Sequence, residues 1–117
     1  MASRCGICFA GSSSGAARGS TFVGNTVGVA VFDRSAPLLG QDVFTGGQVG
    51  IQVSGSGAPQ VRDVRITGAA RAGFIYSENA NGRVDGATCT RTPYGIVVGP
   101  RAYPYLATID CQLAKGR

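Results

Sequence analysis

Apolar residues recur at fixed positions in five consecutive segments of this chain, each of which begins with glycine. The segments start near Gly6, Gly28, Gly50, Gly73 and Gly95, so the period is 22 or 23 residues. With the starting glycine as position 1, positions 2, 4, 12 and 17 are apolar in all five segments: Ile7, Phe9, Ala17, Phe22; Val29, Val31, Leu39, Phe44; Ile51, Val53, Val61, Ile66; Phe74, Tyr76, Val84, Cys89; Ile96, Val98, Leu106, Cys111. A fixed period of this length indicates a repeat architecture.

The spacing within each repeat predicts β-strands. Positions 2 and 4 alternate about a more variable position 3, which is the pattern of a strand with one buried face. β-Branched and aromatic residues are frequent at these positions, and 19 glycines and 5 prolines interrupt the chain too often for ordinary helices. Each repeat is therefore predicted to contain three short strands joined by turns.

A single repeat of this size cannot bury its own apolar residues, but stacked repeats form a continuous interior. The pattern predicts one domain over residues 1–117, in which equivalent side chains lie above one another. Open strand edges at the two ends favour pairing with another chain. We therefore expect capping by a partner, end-to-end association, or excision from a longer chain. A β-sandwich with short strands remains an alternative.

Two stretches, "GVAVFDRSAPLLGQDVF" at Gly28 and "GIQVSGSGAPQVRDVRI" at Gly50, show the order of residues best. That order resembles the repeat of the right-handed parallel β-helix superfamily, which includes pectate-lyase-like enzymes and tandem repeat modules. The resemblance extends over all five repeats. It implies an all-β fold, a right-handed parallel β-helix solenoid of about five coils of 22–23 residues.

The outward position 3 carries no acid or base, although enzymes of this superfamily place their sites on such a face. It holds Cys8, Ala30, Gln52, Ile75 and Val97. Asp33 and Glu78 lie two repeats apart, about 9.6 Å, near the separation that inverting glycosidases use. Acidic residues are common in turns, and the chain has no histidine, so we interpret both as solvated turn residues. The sequence predicts that the protein is not an enzyme.

Charge and cysteines change this prediction little. The net charge of +5 permits an acidic polysaccharide as a partner, but the arginines are scattered, so nucleic acid is not an expected ligand.

A zinc site would require all four cysteines, Cys5, Cys8, Cys89 and Cys111. Cys89 and Cys111 occupy position 17 and should pack inside, and parallel Cβ vectors suit a disulfide poorly. We expect four free thiols and no metal or cofactor.

The N-terminal stretch "MASRCGICFAGSSSG" lacks the long apolar run of a signal peptide, and no segment approaches the length of a membrane span. The expected location is cytoplasmic.

Two surfaces are candidates for binding. The first is the apolar outer face of the first strands, at Ala30, Gln52, Ile75 and Val97, which we expect another chain or segment to cover. The second is a cluster near the C-terminal end that consists of Arg91, Tyr94, Arg101, Tyr103 and Tyr105, residue types that are frequent at binding hot spots. Scattered apolar residues and tyrosines that close the core are the simpler interpretations.

The predicted function is a non-catalytic β-helix scaffold or protein-interaction module, part of a larger protein or assembly, with a homo-oligomer or a capping chain as partner. The alternative is a carbohydrate-binding or polysaccharide-active β-helix of the lyase, hydrolase or epimerase kind.

Overall fold

The computed structural model describes residues 5–9, 11, 15–24, 26–92, 94–111 and 113–115, and all regular structure in these ranges is β-strand. Six parallel strands form the first sheet: β1 (Cys5–Phe9), β4 (Val27–Val31), β7 (Val49–Val53), β9 (Ala72–Tyr76), β11 (Tyr94–Val98) and β13 (Leu113–Lys115). Each strand pairs with its equivalent in the next repeat, as Val29 does with Ile51. The predicted stacking of equivalent positions is confirmed.

The second sheet holds the remaining strands: β2 (Ala16–Arg18), β3 (Thr21–Val23), β5 (Leu38–Gly40), β6 (Val43–Thr45), β8 (Gln60–Thr67), β10 (Arg83–Thr90) and β12 (Tyr105–Asp110). The prediction of three separate strands per repeat holds for the first two repeats only. In the later repeats the second and third strands join into β8, β10 and β12. A single left-handed residue, such as Asp63 with φ 51°, bends each of them, so pairing continues on both sides of the bend.

Left-handed residues mark three corners in each of the first four repeats, at positions 6, 14 and 19, and the second corner of the fifth. Among the described residues, six non-glycine residues have a positive φ, and all fall at these positions: Asp33, Gln41, Asp63, Glu78, Arg91 and Thr108. A left-handed conformation costs a non-glycine residue about 1–2 kcal/mol. The sharp turns that close the coil are therefore retained against a local cost, because stacking on the neighbouring repeats stabilises them.

The spacing between corners varies in only one place. The first corner precedes the second by eight residues in each of the first four repeats, as from Asp33 to Gln41, and the third follows five residues later, as at Gly46. The extra residue of the 23-residue repeat is taken up just after the third corner at Gly68, where Ala69 is fully buried. Beyond it, the carbonyl oxygen of Gln48 accepts hydrogen bonds from the N–H groups of both Arg71 and Ala72.

The core contains the predicted apolar positions together with Val64, Ala69, Ala80 and Ala87, which lie at other repeat positions. Val29, Val53 and Val84 have no exposed surface, and the phenyl rings of Phe22 and Phe44 stack with centroids 4.8 Å apart. In the end repeats, equivalent residues such as Phe9 and Leu106 are only partly buried against this core. Positions 2, 4, 12 and 17 thus face the interior, as predicted.

The starting glycine of the repeat is explained by close packing. A Cβ atom on Gly50 would lie 2.7 Å from the carbonyl oxygen of Gly73 and 2.8 Å from Cδ1 of Ile66. The same carbonyl distance recurs at Gly28 and Gly73. No side chain fits at position 1 of these repeats without displacing backbone.

Candidate binding surface

The outer face of the first sheet is assembled in register but is only partly open. Ala30 pairs with Gln52, Gln52 with Ile75, and Ile75 with Val97. Ala30 is nevertheless only 3% exposed, and the other three side chains are half-buried. A small side chain between larger neighbours is covered by them, so this face presents less apolar surface than its sequence indicates.

The predicted C-terminal cluster divides between two corners of the coil. Arg91 and Tyr94 lie at the third corner and the start of β11, whereas Arg101, Tyr103 and Tyr105 follow the end of that strand. Five residues of extended strand, about 3.3 Å each, separate the two groups. They cannot contact one ligand of small size together.

The corner that precedes β12 carries the most exposed aromatic residues. Tyr103 and Tyr105 are 68% and 59% exposed, although their backbone N–H groups bond to the carbonyl oxygens of Ala80 and Gly82 in the preceding repeat. The Arg83 guanidinium lies over the Tyr105 ring, 5.0 Å from its centroid. This corner therefore combines a fixed backbone with amphipathic side chains that are open to solvent.

Asp33 and Glu78 are engaged by the fold. Oδ2 of Asp33 accepts a hydrogen bond from the Gly11 N–H at 2.9 Å, and Oε1 of Glu78 accepts one from the Gly55 N–H at 2.8 Å. Each bond joins a repeat to the one before it, at the first corner. Both carboxylates are exposed, as expected for turn residues, and the geometry gives them a role in stacking.

The prediction of four free thiols is wrong. Cys89 and Cys111 form a disulfide with their Cα atoms 4.9 Å apart, and Cys8 is also disulfide-bonded. The argument from parallel Cβ vectors fails because Cys111 lies beyond Asp110, the last residue of β12. The strand ladder does not fix its Cβ direction, while the two backbones remain within disulfide range.

The outer face of the second sheet carries a groove that sequence reasoning missed. Three hollows of about 470, 300 and 230 Å³ lie along it. The first and third share the lining residue Asp63, and the second and third share Arg62, so the three hollows are neighbours on this face. The signal was present at outward positions 11, 13 and 16, which hold four of the ten arginines: Arg18, Arg62, Arg65 and Arg83. The arginines are therefore less scattered than the linear sequence indicates.

Two polar groups are enclosed in the coil. Asp42 is 1% exposed; its Oδ1 accepts a hydrogen bond from the Ser20 N–H at 2.9 Å, and its Oδ2 has no partner among the described residues. Desolvation raises the pKa of this carboxyl above its usual range. The hydroxyl of Tyr76 is likewise buried without a described partner, and desolvation raises its pKa. Neither group is accessible to a ligand.

Within the described ranges, no three histidine, cysteine, aspartate or glutamate side chains are grouped so that they could hold a metal ion. The same part of the chain contains no helix that is long and apolar enough to cross a membrane.

Parallel strands stacked at a period of 22–23 residues, with left-handed corners and a continuous interior, define a β-solenoid. The model of the right-handed β-helix region matches residues 4–109, and the chain belongs to that family. No curated protein and no solved structure matches it.

Proposed function

We propose that this chain is a non-catalytic β-helix module that binds other polypeptide, as part of a larger protein or assembly. The observation that carries the proposal is the loss of burial toward the ends of the coil. Val31, Val53 and Tyr76 are at most 1% exposed, whereas Phe9 at the same repeat position in the first repeat is only partly buried, as is Leu106 in the last repeat. Apolar surface at an end is stabilised when another chain or further coils cover it.

The corner at Tyr103 and Tyr105 supports a binding site at the C-terminal end. Tyr105 begins β12, which is the edge strand of the second sheet in the described structure. An edge strand offers backbone hydrogen bonds to a partner, and adjacent tyrosines offer rigid contact area. A second copy of the chain is the simplest partner with these properties.

Sedimentation velocity over a wide range of concentrations tests this proposal. We expect the chain to associate, and we expect Tyr103→Ser together with Tyr105→Ser to weaken association about tenfold or more. Tyr94→Ser is the matched control, since Tyr94 is also exposed but lies at another corner. A chain that stays monomeric at all concentrations, or a control variant with the same loss, contradicts the proposal.

Carbohydrate binding is the second candidate, and the groove favours it. The 300 Å³ hollow is lined by Gln60, Arg62, Arg83 and Asp85, and Arg83 contacts Tyr105 beside it. Planar polar side chains beside an aromatic ring suit sugar hydroxyls and the apolar face of a sugar ring. Selective binding on a glycan array that is lost in Arg83→Gln supports this candidate, and an array without selective signals excludes it for the glycans present.

The disulfides bear on the compartment. Disulfides persist in oxidising environments and are rare in the cytosol of most organisms. We therefore favour an oxidising compartment over the cytoplasmic location expected from the N-terminal sequence. Alkylation of thiols in protein taken directly from its cell of origin tests this: labelling of Cys89 and Cys111 without reductant contradicts it.

A further inference from the structure

Two arginines flank a glycine on the outer face of the second sheet. Arg18, Gly40 and Arg62 occupy repeat position 13 in three successive coils, and they are paired in register, Arg18 with Gly40 and Gly40 with Arg62. The backbones of the two arginines are thus two strand spacings apart, about 9.6 Å. Between them, Gly40 contributes no side chain, so a slot remains between the two guanidinium groups.

The slot is open down to the backbone. A Cβ atom placed on Gly40 would meet only the carbonyl oxygen of Arg62, at 3.8 Å, within 4 Å. The hollow of about 230 Å³ above it is lined by Arg18, Leu38, Gly40, Gln41, Arg62 and Asp63. A tetrahedral or planar anion fits in this volume.

The two guanidinium groups are not used by the fold. Among the described residues, the side chains of Arg18 and Arg62 make no hydrogen bond or ion pair, whereas Arg83 contacts both Asp85, at 4.0 Å, and the Tyr105 ring. Both free arginines are exposed. They keep their full donor capacity for a ligand.

Two acids lie near the slot: Asp85, which pairs in register with Arg62 on the side away from Gly40 and contacts Arg83, and Asp63, which lines the hollow. Oδ1 of Asp63 lies 2.8 Å from where a Cβ atom on Gly86 would be, on the side of the following repeat. Gly40 lies on the opposite side, in the preceding repeat. Oδ1 of Asp63 therefore faces Gly86, on the side away from Gly40.

We propose that Arg18 and Arg62 form a slot for an oxyanion, such as a carboxylate, sulfate or phosphate group, seated over Gly40. The guanidinium group presents paired N–H donors that match the oxygens of such anions, and charge-assisted hydrogen bonds of this kind are the strong ones. The site is distinct from the tyrosine corner and does not depend on the function proposed above.

The backbone amide signal of Gly40 in an NMR titration reports binding directly. We expect saturable shifts with sodium sulfate, sodium phosphate or sodium glucuronate at constant ionic strength. The anion that binds with the highest affinity identifies the source of the oxyanion. Arg18→Gln and Arg62→Gln should each weaken binding about tenfold or more, because each removes a charged hydrogen-bonding partner. Absence of a saturable shift with all three anions overturns the proposal.

Two further variants separate the slot from general charge attraction. Arg65→Gln changes the charge on the same strand but lies outside the slot, so it should leave the affinity within about twofold. Gly40→Val keeps all charges and fills the space between the arginines, so it should abolish binding, and a thermal melt confirms that it folds. Equal losses in Arg65→Gln and Arg62→Gln, or full binding by a folded Gly40→Val, refute the site.

Discussion

The close approach of neighbouring repeats at position 1 allows a test in which one chemical change is made at two glycines. Gly50→Ala places a methyl group 2.7 Å from the Gly73 carbonyl oxygen and 2.8 Å from the Ile66 side chain. Gly40→Ala places it no closer than 3.8 Å to any atom beyond its chain neighbours. Neither glycine has a positive φ, so alanine can adopt both backbones.

The expected effects have opposite signs. Gly40→Ala should stabilise the protein by about 0.5 kcal/mol, because alanine reduces the entropy of the unfolded chain. Gly50→Ala should destabilise it by about 2–3 kcal/mol, the upper range for overpacking, since a carbonyl in a paired strand cannot move aside easily. At about 4 °C per kcal/mol for a chain of this size, the two midpoints should differ by roughly 10–14 °C.

Thermal unfolding followed by circular dichroism, with the two variants and wild type side by side at one protein concentration, measures this difference. The assignment of position 1 to a close backbone contact is refuted if Gly50→Ala unfolds within about 2 °C of Gly40→Ala.

Three other predictions concern the disulfide, the buried acid and the corners. Replacing Cys89 and Cys111 by alanine should lower the free energy of unfolding by about 3 kcal/mol in urea, since the disulfide spans 22 residues, and added reductant should then have a smaller effect on the variant than on wild type. Because burial raises the pKa of Asp42 above its usual value of 3.8, the stability that this carboxyl contributes is fully present below that value and is lost as the pH rises through the folded pKa. Asp42→Asn should remove that decline in a pH series of melts, and an unchanged series contradicts the assignment. Thr108→Gly, at φ 52°, should stabilise by about 1 kcal/mol, as measured in urea, because it relieves a left-handed β-branched residue; a loss of stability would refute this account of the second corner.

The inward-facing positions of this protein could be predicted from the sequence, because every stacked coil has the same local pattern of apolar residues. Val53 and Val98 follow the same alternation as their neighbours, so their inward direction could be predicted without knowledge of the fold's ends. The same spacing placed Cys89 and Cys111 one strand apart, but the sequence could not show that the ladder ends at Asp110. The thiol prediction failed at that boundary.

The outer surface was less predictable, because it depends on which neighbours each side chain has. Ala30 is outward-facing yet covered by the chains around it, and Asp33 is exposed yet bonded to Gly11. The alignment of Arg18, Gly40 and Arg62 at repeat position 13 was readable from the sequence, but the absence of any described partner for the two guanidinium groups was not. The sequence alone also could not show where the carboxylate of Asp63 points.

The confinement of length variation to the segment after the third corner determines how such a molecule can grow. The segments between the first and second corners and between the second and third corners have a fixed number of residues. An insertion in either segment would shift all later side chains out of register with the preceding coil. After the third corner, by contrast, an added residue such as Ala69 leaves the following coil in register with the preceding one. A gene encoding this chain could therefore be lengthened by duplicating whole repeats joined at that segment. Each new repeat would extend the solenoid by one strand spacing.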